Sequence, residues 1–417
     1  MQDVIVVGAG PAGNNAALSL ASKGYGVTVI DSRENIGDKL CTGLVGEECF
    51  RRHPIDPALV YREINAASVI APSGEVVRFE TPLPVARVVN RVAYVSSFAD
   101  RAREAGAEYL LGRRVVDLEQ YKDWISVTTD DGSIKARTLV LAAGFGSQLN
   151  RQLGLGEPSD YVVGIQALVR TENIDEIEVY LGRDIAPGFF AWLVPTEPGI
   201  ALAGLLVRKN APEKFVSFIS AREAEGKITE TVNKPVCWGI PLRPLRKTYT
   251  DRVLVVGDAA GQVKPTTGGG IFYSLLASEV ASGALHQALS EDKLSANHLG
   301  VYQKEWKNLL STELEVGYSA RRMFEYLGDS HISSLIHQAS NNGFIAELAD
   351  SPEVSFDWHS SMIGKIAGHP TLGGVLRLVN PLLARMAKSP EPAGMFFPDQ
   401  LVAVESEVTM AETGTPV

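Results

Sequence analysis

Apolar positions in the first thirty residues fall into three blocks with different periods. Val4 to Val7 is an unbroken apolar run of strand length, as a strand buried on both faces requires. Pro11 to Lys23 is rich in Ala and Leu and reads as a helix, and Gly26 to Ile30 reads as a second strand. The chain therefore begins with a βαβ unit. Short alternating runs between Ala67 and Glu80, broken at Pro72, Ser73 and Gly74, predict an antiparallel hairpin. Arg91 to Gly106 predicts a helix closed by glycine, with strands expected at Glu108 to Leu111, Val115 to Leu118, Trp124 to Thr129 and Thr138 to Ala142.

From about residue 158 the period changes to β-type alternation, with strands near Val162 to Arg170, Glu178 to Leu181, Phe189 to Val194 and Ile200 to Val207. Arg252 to Val256 returns to a buried-strand pattern and Gly270 to Leu289 to a helical one, so the first domain is expected to be interrupted in sequence. The predicted fold is α/β: a discontinuous Rossmann-type dinucleotide-binding domain, an antiparallel β-sheet domain and a C-terminal helical region. The expected boundaries are 1–157 with 246–290 for the first domain, carrying a small hairpin insertion near 64–90. Residues 158–245 are expected to bind substrate, 291–398 to be helical, and 399–417 to form an acidic, loosely ordered tail.

A formal charge of −10 over 417 residues argues against a nucleic-acid partner, which normally demands a basic face. Cys41, Cys49 and Cys237 are too few and too scattered for a disulfide scaffold or a metal-ligand set, so a reducing, cytoplasmic setting is expected and no metal site. The start lacks a basic, apolar signal-peptide pattern, and no apolar run approaches the ~18 to 20 residues that span a bilayer. One stretch departs from the acidic whole. Residues 358–390 contain no acid, and Lys365, Arg377, Arg385 and Lys388 accompany Leu372, Val375, Leu376, Val379, Leu382 and Leu383. A basic amphipathic helix rests on anionic lipid at the inner face of a membrane, and the same pattern serves a helix packed over the substrate domain.

The candidate chemistry starts at Gly8-Ala9-Gly10-Pro11-Ala12-Gly13, between the first strand and the first helix. Gly8 permits the tight turn, Gly10 lets backbone approach a pyrophosphate, and Gly13 allows close packing of helix on strand. The helix N-terminus supplies free N–H groups and the positive end of its dipole. Asp31 ends the second strand, 18 residues after Gly13, where an acid accepts hydrogen bonds from an adenosine ribose. This motif does not choose between NAD and FAD. A second strand ending in Gly257-Asp258, followed by Gly268-Gly269-Gly270 at a helix start, suits the distal half of the longer FAD. Asp258 is then the acceptor for a ribityl hydroxyl, and N–H groups near Gly270 and Ile271 face the carbonyl edge of the isoalloxazine.

With these stretches on the page, the chain resembles the geranylgeranyl reductase family of flavoproteins, within the larger group that shares the aromatic-hydroxylase fold. The resemblance covers roughly residues 1–290 and rests on the first glycine motif, Lys39-Leu40-Cys41-Thr42-Gly43, Pro187 to Pro195, and Gly257 to Ile271. Thr42 departs mildly from the family's small residue, and Phe190 and Val194 replace its tyrosine and phenylalanine around Trp192. The resemblance implies a cofactor set of Gly8, Gly10, Ala12, Gly13, Asp31, Cys41, Gly43, Arg91, Val115, Asp258, Gly269, Gly270 and Ile271. Alternation puts Phe190, Trp192 and Val194 on one strand face, an apolar wall suited to an isoprenoid chain; an ordinary sheet core has the same pattern.

The implied reaction is hydride transfer from reduced FAD to an isolated carbon–carbon double bond of a prenyl lipid, prenyl diphosphate or prenylated quinone, with a proton delivered to the neighbouring carbon. Cys41 is the candidate proton donor, with a small packed residue as the alternative role. The electron donor is left open among NADPH, ferredoxin and another reductant, because Ala143 stands where the hydroxylases carry an aspartate in their shared flavin and nicotinamide stretch. His359 and His369 are read as structural. The competing readings are a monooxygenase or halogenase acting on an aromatic substrate, and a flavin electron carrier.

Overall fold

The computed structural model describes residues 1–37, 41–351 and 354–369. Lys39 and Leu40, residues 370–390 of the basic segment and the 399–417 tail lie outside the described residues. The chain divides into two compact units, one built from Met1–Lys39, Arg91–Asp160 and Ile240–Glu315, the other from Leu40–Asn90, Tyr161–Gly239 and Val316–Val417.

The first unit is wound around a sheet whose five central strands run parallel, in the order Val253–Val255, Gly132–Leu141, Gln2–Val7, Val27–Ile30 and Glu108–Leu110. Val4, Ile5 and Val6 are fully buried, as expected of a strand covered on both faces. Ile125–Thr129 and Val115–Gln120 extend Gly132–Leu141 as antiparallel strands. Helix Pro11–Ala21 packs between Arg91–Glu104 and Ile271–Ser290. Two buried asparagines tie these pieces together. Asn14 Nδ2 donates to Ala9 O at 2.9 Å and Val95 O at 3.3 Å, and Asn15 Nδ2 donates to Ser278 Oγ at 2.8 Å. Because a buried amide must find partners, this pair fixes helix rotation as well as position.

The second unit carries a sheet in the order Ile228–Thr231, Tyr161–Thr171, Ile200–Val207, Ala191–Pro195, Ile177–Tyr180, Ala66–Ile70 and Val76–Glu80, with Val236–Pro241 also on Tyr161–Thr171. The hairpin expected as an insertion in the nucleotide-binding domain forms the edge of this sheet, where Ala66–Ile70 runs parallel to Ile177–Tyr180. The remaining registered pairs are antiparallel. A helix and a small sheet are among the elements not read from the sequence. Helix Ala211–Ala224 covers one sheet face, where Phe218 meets Tyr180 with ring centroids 5.3 Å apart. A small antiparallel sheet joins Leu44–Gly46, Ala86–Val89 and Val60–Ile64.

The helical C-terminal region contributes Asp329–Asn341, Phe344–Ala349 and Ser360–Gly368. Met362 and Ile366, at the start of the basic segment, pack on Phe344 and Leu348 with Phe79 and Leu335. Asp357 is 1% exposed, and its Oδ2 accepts from Cys49 N at 3.1 Å in the first turn of helix Glu47–Arg52. A carboxylate there complements the helix dipole, so the C-terminal segment is anchored within its unit.

Candidate functional site

In the first unit, the turn after Gln2–Val7 exists because three glycines do different work. Gly8 adopts φ +106°, and a Cβ there would lie 2.3 Å from Ala142 O. A Cβ on Gly13 would lie 1.8 Å from Gly8 O, so helix and strand approach as closely as backbone allows. Gly10 differs from both. Its φ is −81°, and a Cβ would meet no protein atom within 4 Å. Backbone at Gly10 therefore faces open space at the N-terminus of helix Pro11–Ala21, where a pyrophosphate finds N–H donors.

Asp31 stands beside this turn. Its Oδ2 accepts from Ala9 N at 2.6 Å and its Oδ1 from Arg33 N at 2.8 Å. Those bonds hold the carboxylate at the rim of the phosphate loop, and each oxygen has a further lone pair for a ribose hydroxyl. Arg91, the first residue of helix Arg91–Glu104, donates from Nη1 to Gly37 O at 2.7 Å and so holds Gly37 in the loop that follows Asp31.

The second glycine motif meets the first. Gly257, at φ +68°, would bring a Cβ within 3.1 Å of Ala12 Cβ, so the two loops are in van der Waals reach. The Gly257 turn is braced from behind: its N–H donates to Gln262 Oε1 at 2.8 Å, Gln262 Nε2 to Tyr302 Oη at 2.9 Å, and Tyr302 Oη to Val255 O at 2.7 Å. Burial pushes the Tyr302 phenol up from its ordinary range, keeping it a donor. Asp258 Oδ1 would lie 2.9 Å from a Cβ on Gly270, which places that carboxylate at the N-terminus of helix Ile271–Ser290. Gly8, Gly10, Ala12, Gly13, Asp31, Asp258, Gly269, Gly270 and Ile271 thus lie along two abutting loops. Val115 is partly buried and packs against the core cluster that contains Val7, Ile30 and Ala259.

These residues fit an FAD. Two helix N-termini supply donors for anionic groups, two carboxylates supply acceptors for sugar hydroxyls, and the open side of Gly10 leaves room for phosphate. Among the described residues, no group of three His, Cys, Asp or Glu side chains could hold a metal ion. No helix among them is long and apolar enough to cross a membrane.

In the second unit, Cys41 is half-buried, and Gly43, at φ +66°, accepts from Val89 N at 3.0 Å beside strand Leu44–Gly46. Trp192 and Val194 are buried, whereas Phe190 is partly exposed just before strand Ala191–Pro195. Trp192 lies flat over Gly204, its registered neighbour, and a Cβ there would fall 2.4 Å from Trp192 Cζ2. Trp238 lies over Gly164 in the same way, at 3.0 Å. Trp192 Nε1 donates to Gln166 Oε1 at 3.3 Å, and Phe190 and Trp192 have centroids 5.9 Å apart. Gly164, Gln166 and Gly204 were missed from the sequence, although a glycine inside a continuous apolar strand signals close approach of another group.

The approach to this strand is clamped. Arg321 is 5% exposed and bonds Gly188 O, with its guanidinium 4.3 Å from the Phe189 ring centroid. Burial pulls the Arg321 pKa down to about 10, with Glu325 working against it. It stays charged at neutral pH. Arg208 also lies over Phe189, at 5.4 Å, and pairs with Glu325 at 2.9 Å.

A family model described as pyridine nucleotide-disulphide oxidoreductase matches residues 2–174. A digeranylgeranylglycerophospholipid reductase from Methanothrix thermoacetophila is 30% identical over 357 residues, covering 80% of this chain and 90% of that protein. The protein of the same name from Methanosarcina acetivorans is 29% identical, covering 80% and 87%. Among solved structures, a geranylgeranyl bacteriochlorophyll reductase-like protein from Thermoplasma acidophilum superposes with TM-score 0.79 at 21% identity, over 91% of this chain and 99% of that one. A halogenase solved with FAD shares the fold, at TM-score 0.62 and 15% identity over 99% and 96%. Taken with the paired glycine loops, these relatives show that the chain belongs to the geranylgeranyl reductase family of FAD-dependent flavoproteins.

Proposed function

We propose that this protein is an FAD-dependent reductase that saturates isolated carbon–carbon double bonds in a polyprenyl lipid. The observation that carries the reading is the sheet face bearing Trp192. Val194, Leu202, Leu206, Leu168, Val179 and Ile177 share that face by register, and its polar positions on strand Tyr161–Thr171 are Gln166, bonded to Trp192 Nε1, and Arg170 near the strand's end. Such a face suits a hydrocarbon chain and offers little to a polar aromatic substrate.

Bound FAD, once reduced, supplies the hydride for one alkene carbon. The protein's own part is to bind, orient and exclude water. N–H groups at Gly10 and the first turn of Pro11–Ala21 hold the pyrophosphate, Asp31 the adenosine ribose and Asp258 the ribityl chain. N–H groups at Gly270 and Ile271 stabilise negative charge on the carbonyl edge of the ring. Arg91, Cys41, Gly43 and Val115 complete the cofactor set, and Phe190, Trp192 and Val194 hold the isoprenoid. Cys41 donates the proton to the second alkene carbon.

The relatives' name makes a digeranylgeranylglycerophospholipid the first substrate to test, ahead of a prenyl diphosphate or prenylated quinone. The electron donor is NADPH, ferredoxin or another reductant. Peripheral contact with lipid through residues 358–390 is part of this proposal; Met362 and Ile366, near the start of that stretch, pack on Phe344 and Leu348.

The test uses dithionite-reduced protein mixed anaerobically with a geranylgeranyl lipid, with reoxidation followed by flavin absorbance. Parental protein is expected to reoxidise. Cys41→Ala, with FAD bound and reduced normally, is expected to reoxidise at least tenfold more slowly, in the range of general acid catalysis. Cys41→Ser, a poorer acid, should be similarly impaired. Parental rates in Cys41→Ala would remove Cys41 from the mechanism, whereas no reoxidation of parental protein by any prenyl lipid would remove the reductase reading itself.

A further inference from the structure

The loop between Gly257 and Ile271 buries a cation that the functional reading leaves unused. Lys264 is 3% exposed, in a position where lysine is rare because its ammonium loses water. Its backbone is fixed to the glycine run: Lys264 N donates to Gly269 O at 3.0 Å, and Gly268 N donates to Lys264 O at 2.9 Å. A Cβ on Gly269 would lie 3.0 Å from Lys264 Cε and 3.7 Å from Nζ. The ammonium is therefore carried against the backbone that opens helix Ile271–Ser290, one residue from Gly270. Asp258, on the same loop, brings a carboxylate to Gly270.

We propose that the Lys264 ammonium compensates the negative charge that FAD gains on reduction, and so sets the reduction potential of the bound cofactor. The proposal rests on the reading that the carbonyl edge of the isoalloxazine meets the N–H groups of Gly270 and Ile271. Two electrons and one proton enter the ring when dithionite, itself oxidised to sulfite, reduces it, so one negative charge remains to be stabilised. A helix N-terminus offers about half an elementary charge. A buried ammonium adds to that partial charge, in a medium that screens it poorly. It also offsets Asp258, whose carboxylate would otherwise oppose reduction. Departure of hydride removes the same negative charge, so Lys264 trades driving force at that step for easier loading of electrons.

Lys264→Met keeps the length of the side chain and removes its charge. Measured by equilibration with an indicator dye of known potential, the flavin of Lys264→Met should have a midpoint at least about 30 mV more negative than the parent. That figure corresponds to a tenfold loss in preference for the reduced form of a two-electron couple. Lys264→Gln should fall by a similar amount, so the result does not depend on one variant folding, and Lys264→Arg should stay close to the parent. Oxidised FAD should bind all four proteins within a few-fold, because the oxidised ring carries no charge to compensate. Equal potentials in the parent, Met and Gln variants, with FAD bound in each, would overturn the role of Lys264 and leave the cofactor reading intact. A parental protein that took up no FAD would overturn that reading instead.

Discussion

Gly13→Ala is expected to yield little folded flavoprotein, whereas Gly10→Ala, three residues earlier, is expected to fold normally and to fail only in binding FAD. The two glycines share a motif and differ in what surrounds them. A methyl on Gly13 would lie 1.8 Å from Gly8 O and 3.0 Å from Gly8 C, both backbone atoms of the tight turn. Relief requires helix Pro11–Ala21 to move off strand Gln2–Val7, at the upper end of the ~1 to 3 kcal/mol typical of overpacking or beyond it. Around Gly10 a methyl meets no protein atom within 4 Å, and its φ of −81° is open to alanine. Stability without cofactor should therefore change by no more than about 0.5 kcal/mol. Only a bound pyrophosphate would collide with the methyl, so FAD affinity should fall at least tenfold. Thermal unfolding without cofactor and FAD titration check the two halves separately. A Gly10→Ala protein that bound FAD at parental affinity would contradict the placement of phosphate on this loop.

A second large effect is expected at Gly204. A Cβ there would stand 2.4 Å from Trp192 Cζ2 and 2.7 Å from Ile165 O, so Gly204→Ala must displace an indole, a strand or both. Gln166, buried with its carbonyl on Trp192 Nε1, would lose that bond as the ring moved. The expected cost is about 1 to 3 kcal/mol, or roughly 2 to 4 °C in Tm for each kcal/mol in a unit of this size. The functional effect should be more selective. KM for a prenyl lipid should rise several-fold while FAD titration stays at parental values, because Trp192 belongs to the proposed substrate wall and not to the cofactor loops. Gly164→Ala meets Trp238 at 3.0 Å and should be milder. Unchanged KM in a Gly204→Ala protein with a shifted indole fluorescence would take Trp192 out of substrate binding.

The parallel sheet and both glycine loops were legible because their signals are local. An apolar run of strand length, a helix starting at Pro11 and an acid at Asp31 lie within one βαβ unit, and their spacing alone implies a phosphate site. What was not legible depends on register between distant strands. Nothing near Ala66–Ile70 in sequence announces its pairing with Ile177–Tyr180, which turns an apparent insertion into the edge of another sheet. Gly204 reads as an interruption of a strand until Trp192 is found opposite it. Helix Ala211–Ala224 was hidden by composition, since Phe215, Phe218 and Ile219 among β-rich neighbours do not stand out as a helical stripe. Lys264 was overlooked because a lysine in a loop is ordinarily solvated, and only the fold shows that this one is buried.

The central claim is that electrons leave this protein as hydride to an unactivated alkene. Dithionite-reduced protein is incubated without oxygen in deuterated water with a digeranylgeranylglycerophospholipid, and the extracted lipid is weighed by mass spectrometry. The account predicts one saturated bond for each flavin reoxidised, each bond carrying two new hydrogens, at least one of them drawn from solvent as deuterium. A lipid of unchanged mass beside flavin that stays reduced, together with oxygen-dependent hydroxylation or halogenation of an aromatic compound by the same preparation, would contradict it.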